Sequence, residues 1–288
     1  MKNVVQLNLF PWDCELLAKG QDALNKLDFS GARKIFQTIC NKISDHSTAQ
    51  YGLSLCNDWE YFLTKKKHLN KIIACEFLWQ AIHGYDFKAD EIAIVLRSAL
   101  LKMLAATVEK IDDHFFSDSG LCLGQIFSEL KIFPKAISAF ESLLEYYPHD
   151  PHLLVRFANT LWQANKKVRA KIYYIKALLI APTEVPSLSI EDTEISLLMK
   201  KEGPYMTPIY EWLQHDMLPL DLPTIYGEDL EHFGALEIYY KILRVNQLEA
   251  EGSYDKMMVY QNELQAQSPE IFALYIEESK PLQSYYFG

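Results

Sequence analysis

Between Ser117 and Pro182 one residue pattern occurs twice at a fixed interval, and a chain that repeats itself at that length has few ways to fold. Leu123, Gly124, Phe127, Ala136, Phe140, Leu143 and Pro148 are followed in register by Phe157, Ala158, Leu161, Ala170, Tyr174, Ala177 and Pro182, a period of about 34 residues. Within each copy the apolar positions recur three and four residues apart, the spacing of one helix face. Gly124 and Ala158 are small enough to let a second helix cross closely, and their large neighbours fill the space beside them. In the second helix Ala136 and Ala170 are the close-approach points, with Phe140 and Tyr174 as the large residues. Pro148 and Pro182 then stop that helix, because proline lacks an N–H and biases the residue before it away from helical geometry. A two-helix unit with apolar surface on both sides needs neighbours to cover it.

The pattern resembles the tetratricopeptide repeat, in which antiparallel helix pairs stack. The resemblance implies an all-α fold, a right-handed superhelical solenoid of helical hairpins. Residues 1–12 read as an N-terminal arm. Residues 13–116 read as degenerate repeats with an extra long helix: Gly20, Ala32 and Phe36 keep the spacing of Gly124, Ala136 and Phe140. Asp28-Phe29-Ser30-Gly31 supplies the turn there. Ile72 to Ala81 forms a later second helix stopped by Gly84, and Ala89 to Lys110 one long helix with a broad apolar face. Residues 117–182 hold the two well-formed repeats.

Residues 183–288 are irregular, with one degenerate repeat and a cap. Pro186 interrupts the rhythm, and Ser189-x-x-Asp192 resembles a capping box ahead of a short helix. Thr207-Pro208 opens another helix. The run Gly252-Ser253-Tyr254-Asp255-Lys256-Met257 is similar to the repeat's turn and second-helix start, with Met257 where the family prefers alanine. Ile271 to Ser279 is a final helix, and Pro281 to Gly288 an aromatic tail.

A net charge of -10, from 28 Lys+Arg against 38 Asp+Glu, disfavours nucleic acid as the main partner, since phosphate neutralisation drives that binding. Two basic clusters, Lys65-Lys66-Lys67-His68 and Lys166, Lys167, Arg169, Lys171, read as solvated turns and helix starts. The five cysteines are dispersed, without a C-x-x-C pair. They suggest neither a disulfide framework nor a zinc site. No apolar run approaches the ~18 residues that would span a membrane. The expectation is a cytoplasmic protein with no membrane partner.

Catalytic signatures are absent from the sequence: no Gly-rich phosphate loop, no nucleophile elbow, no H-E-x-x-H. The expectation is a protein that is not an enzyme, holding no cofactor and no metal. His149, Asp150 and His152 read as loop residues, and Glu191-Asp192-x-Glu194 as the acidic first turn of a helix. The resemblance points instead to a concave groove lined by the first helices, binding a peptide or helix of another protein. Its lining positions are Gln21, Asn25, Gln125, Glu129, His152, Arg156, Asn159, Trp162 and Gln163, with Trp162 as the anchor. No carboxylate clamp is expected, because Asp118, Leu121 and Cys122 stand where cationic or amide groups would be needed.

The leading reading is therefore a protein-binding adaptor or scaffold, with a basic or amphipathic partner favoured by the net charge. One rival is a regulatory or enzymatic subunit whose site lies in 183–232, around Trp212, His215, Asp216, Asp221, Tyr226 and His232. The other is an RNA-binding helical repeat of the half-tetratricopeptide kind. Self-assembly through Tyr285-Tyr286-Phe287 is compatible with each.

Overall fold

A computed structural model describes residues 12–66, 68–112, 114–215 and 234–286 of the chain. The described residues are all-helical, with no strand among them. In order the helices are α1 (Trp12–Asn25), α2 (Phe29–Lys42), α3 (Ser47–Lys66), α4 (Lys71–Gly84), α5 (Glu91–Val108), α6 (Leu123–Glu129), α7 (Phe133–Tyr146), α8 (Pro151–Gln163), α9 (Lys167–Ile180), α10 (Thr193–Glu202), α11 (Thr207–His215), α12 (Gly234–Ala250), α13 (Tyr254–Gln267) and α14 (Pro269–Tyr286). The chain divides into two compact units, Met1–Ala139 and Phe140–Gly288, the division falling within α7. No described helix is long and apolar enough to cross a membrane.

Four helix-to-helix turns share one backbone geometry. Leu27, Lys131, Asn165 and Gly252 all have positive φ, at 58°, 58°, 59° and 70°. The next residue's N–H in each case reaches back five residues: Asp28 to Ala23 at 2.9 Å, Ile132 to Phe127 at 2.9 Å, Lys166 to Leu161 at 2.8 Å and Ser253 to Leu248 at 2.8 Å. A left-handed residue followed by that long hydrogen bond is the Schellman ending, which satisfies the last carbonyls of one helix while reversing the chain into the next. Five residues beyond each positive-φ position stand Ala32, Ala136 and Ala170, all fully buried. Met257 occupies the fourth such place and is partly buried.

In the first unit the fully buried Phe36 of α2 is held between two glycines. A Cβ on Gly20 of α1 would lie 2.5 Å from one ring edge, and a Cβ on Gly52 of α3 would lie 2.7 Å from the other. The helices can close on the ring only because neither position carries a side chain. A second aromatic group surrounds Trp59, whose ring stacks on Phe87 at 5.5 Å and meets Tyr85 and Phe62, each at 5.3 Å. The Tyr85 hydroxyl donates to Asp58 at 2.7 Å, and burial together with that carboxylate raises its pKa. Leu96, Leu100 and Leu104 of α5 join the same core.

In the second unit Leu154, Phe157, Ala158 and Leu161 of α8 are fully buried, together with Ala170 and Tyr174 of α9. The Phe157 ring sits 5.6 Å from Phe140 and 4.6 Å from Tyr173. A second cluster gathers Ile175 and Leu179 of α9, Ile209 of α11, Tyr239, Ile242 and Leu243 of α12, Leu264 of α13, and Ile271 and Tyr275 of α14.

Several boundaries differ from the sequence expectation. The first helix of the 117–148 repeat is only the short α6, because Gly120 takes φ 82° and Cys122 is extended, which holds Ser117–Cys122 in a turn. The expected capping box at Ser189 does not form. Asp192 itself is the N-cap of α10, accepting from the N–H groups of Glu194 at 2.9 Å and Ile195 at 3.2 Å. The segment expected to be a tail is helical to Tyr286. The N-terminal arm lies outside the described residues, save Trp12.

Candidate functional site

The nine expected lining residues fall in both units, Gln21, Asn25, Gln125 and Glu129 in the first and the remaining five on α8 of the second. On α8, Asp150 caps the helix by accepting from Leu153 N–H at 2.8 Å, and Pro151 takes the first-turn place where a missing N–H costs nothing. With one face of α8 buried, His152, Arg156, Asn159 and Gln163 recur three or four residues apart along the other side.

Asn159 is the centre of that side. Its Nδ2 donates to the Ser189 carbonyl at 2.8 Å, and its Oδ1 accepts from the Glu191 N–H at 3.1 Å. The Tyr174 hydroxyl of α9 donates to the same Oδ1 at 2.5 Å. Gln163 adds a hydrogen bond from Nε2 to the Glu191 carboxylate. One amide therefore grips the N–H and C=O on either side of Ile190, holding non-helical backbone of the chain itself against α8. Burial raises the pKa of Tyr174, so its hydroxyl stays a donor.

The gripped segment runs straight into a charged, buried corner. Asp192 is fully buried, and α10 follows it. Lys171 of α9 donates from Nζ to Glu194 at 2.8 Å and to the buried Glu211 of α11 at 2.5 Å. Burial pushes the Lys171 ammonium down, but the hydrogen bonds to Glu194 and Glu211 outweigh it and the net shift is upward. Three elements are thereby tied to one ammonium.

The other α8 residues are less engaged. His152 Nε2 lies 3.9 Å from a Glu184 carboxylate oxygen. Trp162 is partly buried, with Lys167 Nζ 4.9 Å above its ring. Arg156 is partly buried, and its guanidinium forms no hydrogen bond or ion pair with a described residue.

In the first unit Glu129 is committed internally. Its carboxylate accepts from His83 Nε2 at 2.9 Å, Arg97 Nη2 at 2.5 Å and Gln125 Nε2 at 3.4 Å, pinning α4, α5 and α6 together. Burial opposes ionisation there, yet the bonds from His83 and the Arg97 charge hold its pKa below the usual carboxylate value. Gln21 is partly buried and Asn25 exposed on α1.

Sequence reasoning placed Asn159 and Gln163 on the side of α8 away from its buried face but missed what meets them. Ser189 and Glu191 contribute backbone groups and a carboxylate from a stretch without periodicity, which carries no signal of where it docks. Of the residues named for the rival site in 183–232, Asp216, Asp221, Tyr226 and His232 lie outside the described residues, and so do the side chains of Trp212 and His215. No set of three His, Cys, Asp or Glu groups converges for a metal among the described residues. Comparison of the chain with protein-family models, with curated proteins and with solved structures finds no match.

Proposed function

We propose that the chain is a tetratricopeptide-like helical-repeat adaptor, without catalytic activity of its own, that holds an extended segment of another protein against the exposed side of its hairpins' first helices. The observation that carries this reading is the Asn159 grip on Ser189 and Glu191. A side chain that pairs with one N–H and one C=O two residues apart reads extended backbone, whatever the intervening residue. An α8 face that already holds the chain's own backbone in this way supports the reading. The four matching turns support the repeat architecture, because each reverses the chain from one helix into the next in the same way.

On this reading the chain's own segment fills the Asn159 end, and a partner segment lies beside it over Arg156 and His152 with Trp162 as the apolar anchor. Ordering that segment costs part of the interaction energy, so the affinity is moderate. The net charge favours a basic or amphipathic partner, met in the cytoplasm. The RNA-binding rival loses ground within the second basic cluster: Lys171 is tied to Glu194 and Glu211, and Arg169 Nη2 donates to Glu141 at 2.6 Å.

The test is direct binding of a tiled peptide array to the purified full-length protein. Hits are followed by fluorescence polarisation with wild type and with a Trp162→Ala/Arg156→Glu variant whose fold is confirmed by circular dichroism. The reading expects the variant to lose about tenfold or more in affinity, the scale of one interface anchor. Peptides bound equally well by both proteins would place the site elsewhere, and an array without any hit would remove the adaptor reading.

A further inference from the structure

The turn between α3 and α4 and the helix ends that flank it carry exposed apolar residues interspersed with lysines. Tyr61 is 57% exposed, Leu69 38%, Ile72 49% and Ile73 51%, so each leaves a large share of its apolar surface in water. Lys65, His68 and Lys71 beside them are exposed as well. From Tyr61 to Cys75 the chain has four lysines and a histidine but no acidic residue, in a protein that is acidic as a whole. The acids that flank the stretch are engaged elsewhere. Glu60 receives Arg33 at 2.5 Å and Glu76 receives Ser119 at 2.7 Å. Lys65 Nζ rests 4.4 Å above the Tyr61 ring, and Lys66 is half-buried, its pKa lowered by that burial.

We propose that this turn docks on the surface of an anionic lipid bilayer, with Leu69, Ile72 and Ile73 entering the headgroup region while Lys65, His68 and Lys71 meet the lipid anions. The apolar residues are arranged for a surface and not for a pocket. Ile72 and Ile73 are adjacent in the first turn of α4 and so diverge by about 100°. Leu69 precedes the Asn70 cap, whose side chain accepts from Ile73 N–H at 2.8 Å, and Tyr61 comes from the other helix. A fluid interface accepts such a spread without shape matching, and aliphatics with lysines and a tyrosine at the rim are the residue types that interfaces favour. Long lysine stems let the ammonium stay at the phosphates while the aliphatics sink. The protein's overall negative charge does not prevent this, because salt screens it beyond about 8 Å. The expectation of no membrane partner weighed only spanning segments, and this surface is peripheral.

The experiment is co-sedimentation of the full-length protein with vesicles of phosphatidylcholine alone and of phosphatidylcholine mixed with phosphatidylserine. Binding is expected only to the anionic vesicles, weakening as salt is added. A Lys65→Gln/Lys71→Gln variant should bind about thirtyfold more weakly, roughly fivefold per lysine. Ile72→Ser/Ile73→Ser should lose about tenfold or more. All four positions are exposed, so the fold is expected to survive, and thermal melts verify it. Equal binding by wild type and both variants would overturn the proposal, as would no binding to anionic vesicles. A variant-sensitive change in sedimentation velocity without lipid would assign the surface to a second copy instead. Capture by polyglutamate but not by vesicles would assign it to an acidic protein; either result overturns the lipid assignment.

Discussion

Gly20→Ala is the substitution that most directly examines the packing of the first unit. Helix propensity alone predicts a gain, since alanine is better than glycine inside a helix by about 1 kcal/mol. The structure predicts a loss. The new Cβ would lie 2.5 Å from Phe36 Cε1 and 2.7 Å from Cζ, whereas carbon atoms rest about 3.5–4.0 Å apart. The ring would have to retreat by about 1 Å. Its opposite edge already faces Gly52, where a Cβ would be only 2.7 Å away, and Phe36 is fully buried. Overpacking a rigid core costs about 1–3 kcal/mol, which cancels the propensity gain and leaves a net loss of up to about 2 kcal/mol. Urea unfolding followed by far-ultraviolet circular dichroism measures it. Gly84→Ala is the control, because a Cβ there meets nothing within 4 Å and should be neutral or stabilising. Adding Phe36→Leu should cost less in the Gly20→Ala background than in wild type, because the smaller side chain relieves the clash. A Gly20→Ala protein stabilised by the full propensity gain would refute the argument that Phe36 is clamped between the two helices.

Three further outcomes are expected. Lys171→Met strips the buried Glu211 carboxylate of its ammonium partner and should destabilise the second unit by about 3–5 kcal/mol, while Lys171→Met/Glu211→Leu should recover most of it; chemical unfolding of the three proteins decides. His83 is held above its ordinary pKa of 6.5 chiefly by its hydrogen bond to Glu129, against burial and the Arg97 charge. Its contribution is therefore complete below that value and is lost as pH rises through the raised folded-state pKa; the unfolding midpoint of wild type should fall across that window, and that of His83→Gln should not. Lys131→Gly removes a side chain from a left-handed position at φ 58° and should raise stability by up to about 1 kcal/mol, read from the urea midpoint.

Much of the fold was legible because repeated local geometry leaves repeated residues. Gly20, Ala32 and Phe36 stand at the spacings of Gly124, Ala136 and Phe140, and the turns between these helices reverse the chain in the same way. Gly252 could be recognised as a turn residue because glycine adopts positive φ freely. Leu27 and Lys131 could not, since nothing in a leucine or lysine announces a left-handed backbone. The short α6 was misread for a related reason: Leu121 and Cys122 keep helical spacing, but Gly120 and the extended Cys122 end the turn before a helix can form. At the candidate site, periodicity placed Arg156, Asn159 and Gln163 on one side of α8. It carried no information about Ser189 and Glu191, which meet that side from an aperiodic stretch.

What the sequence determined by itself was the helical character and the pairing of α1 with α2 and of α8 with α9, because these depend on contacts within a few tens of residues and leave a periodic trace. Only the tertiary structure decided which polar groups were already satisfied. Asn159 is gripped by backbone about thirty residues on, and Glu129 is enclosed by His83 and Arg97 from two other helices. A hydrogen bond is set by distances of a few ångströms between atoms that the chain brings together only after folding, and no spacing along the sequence records it.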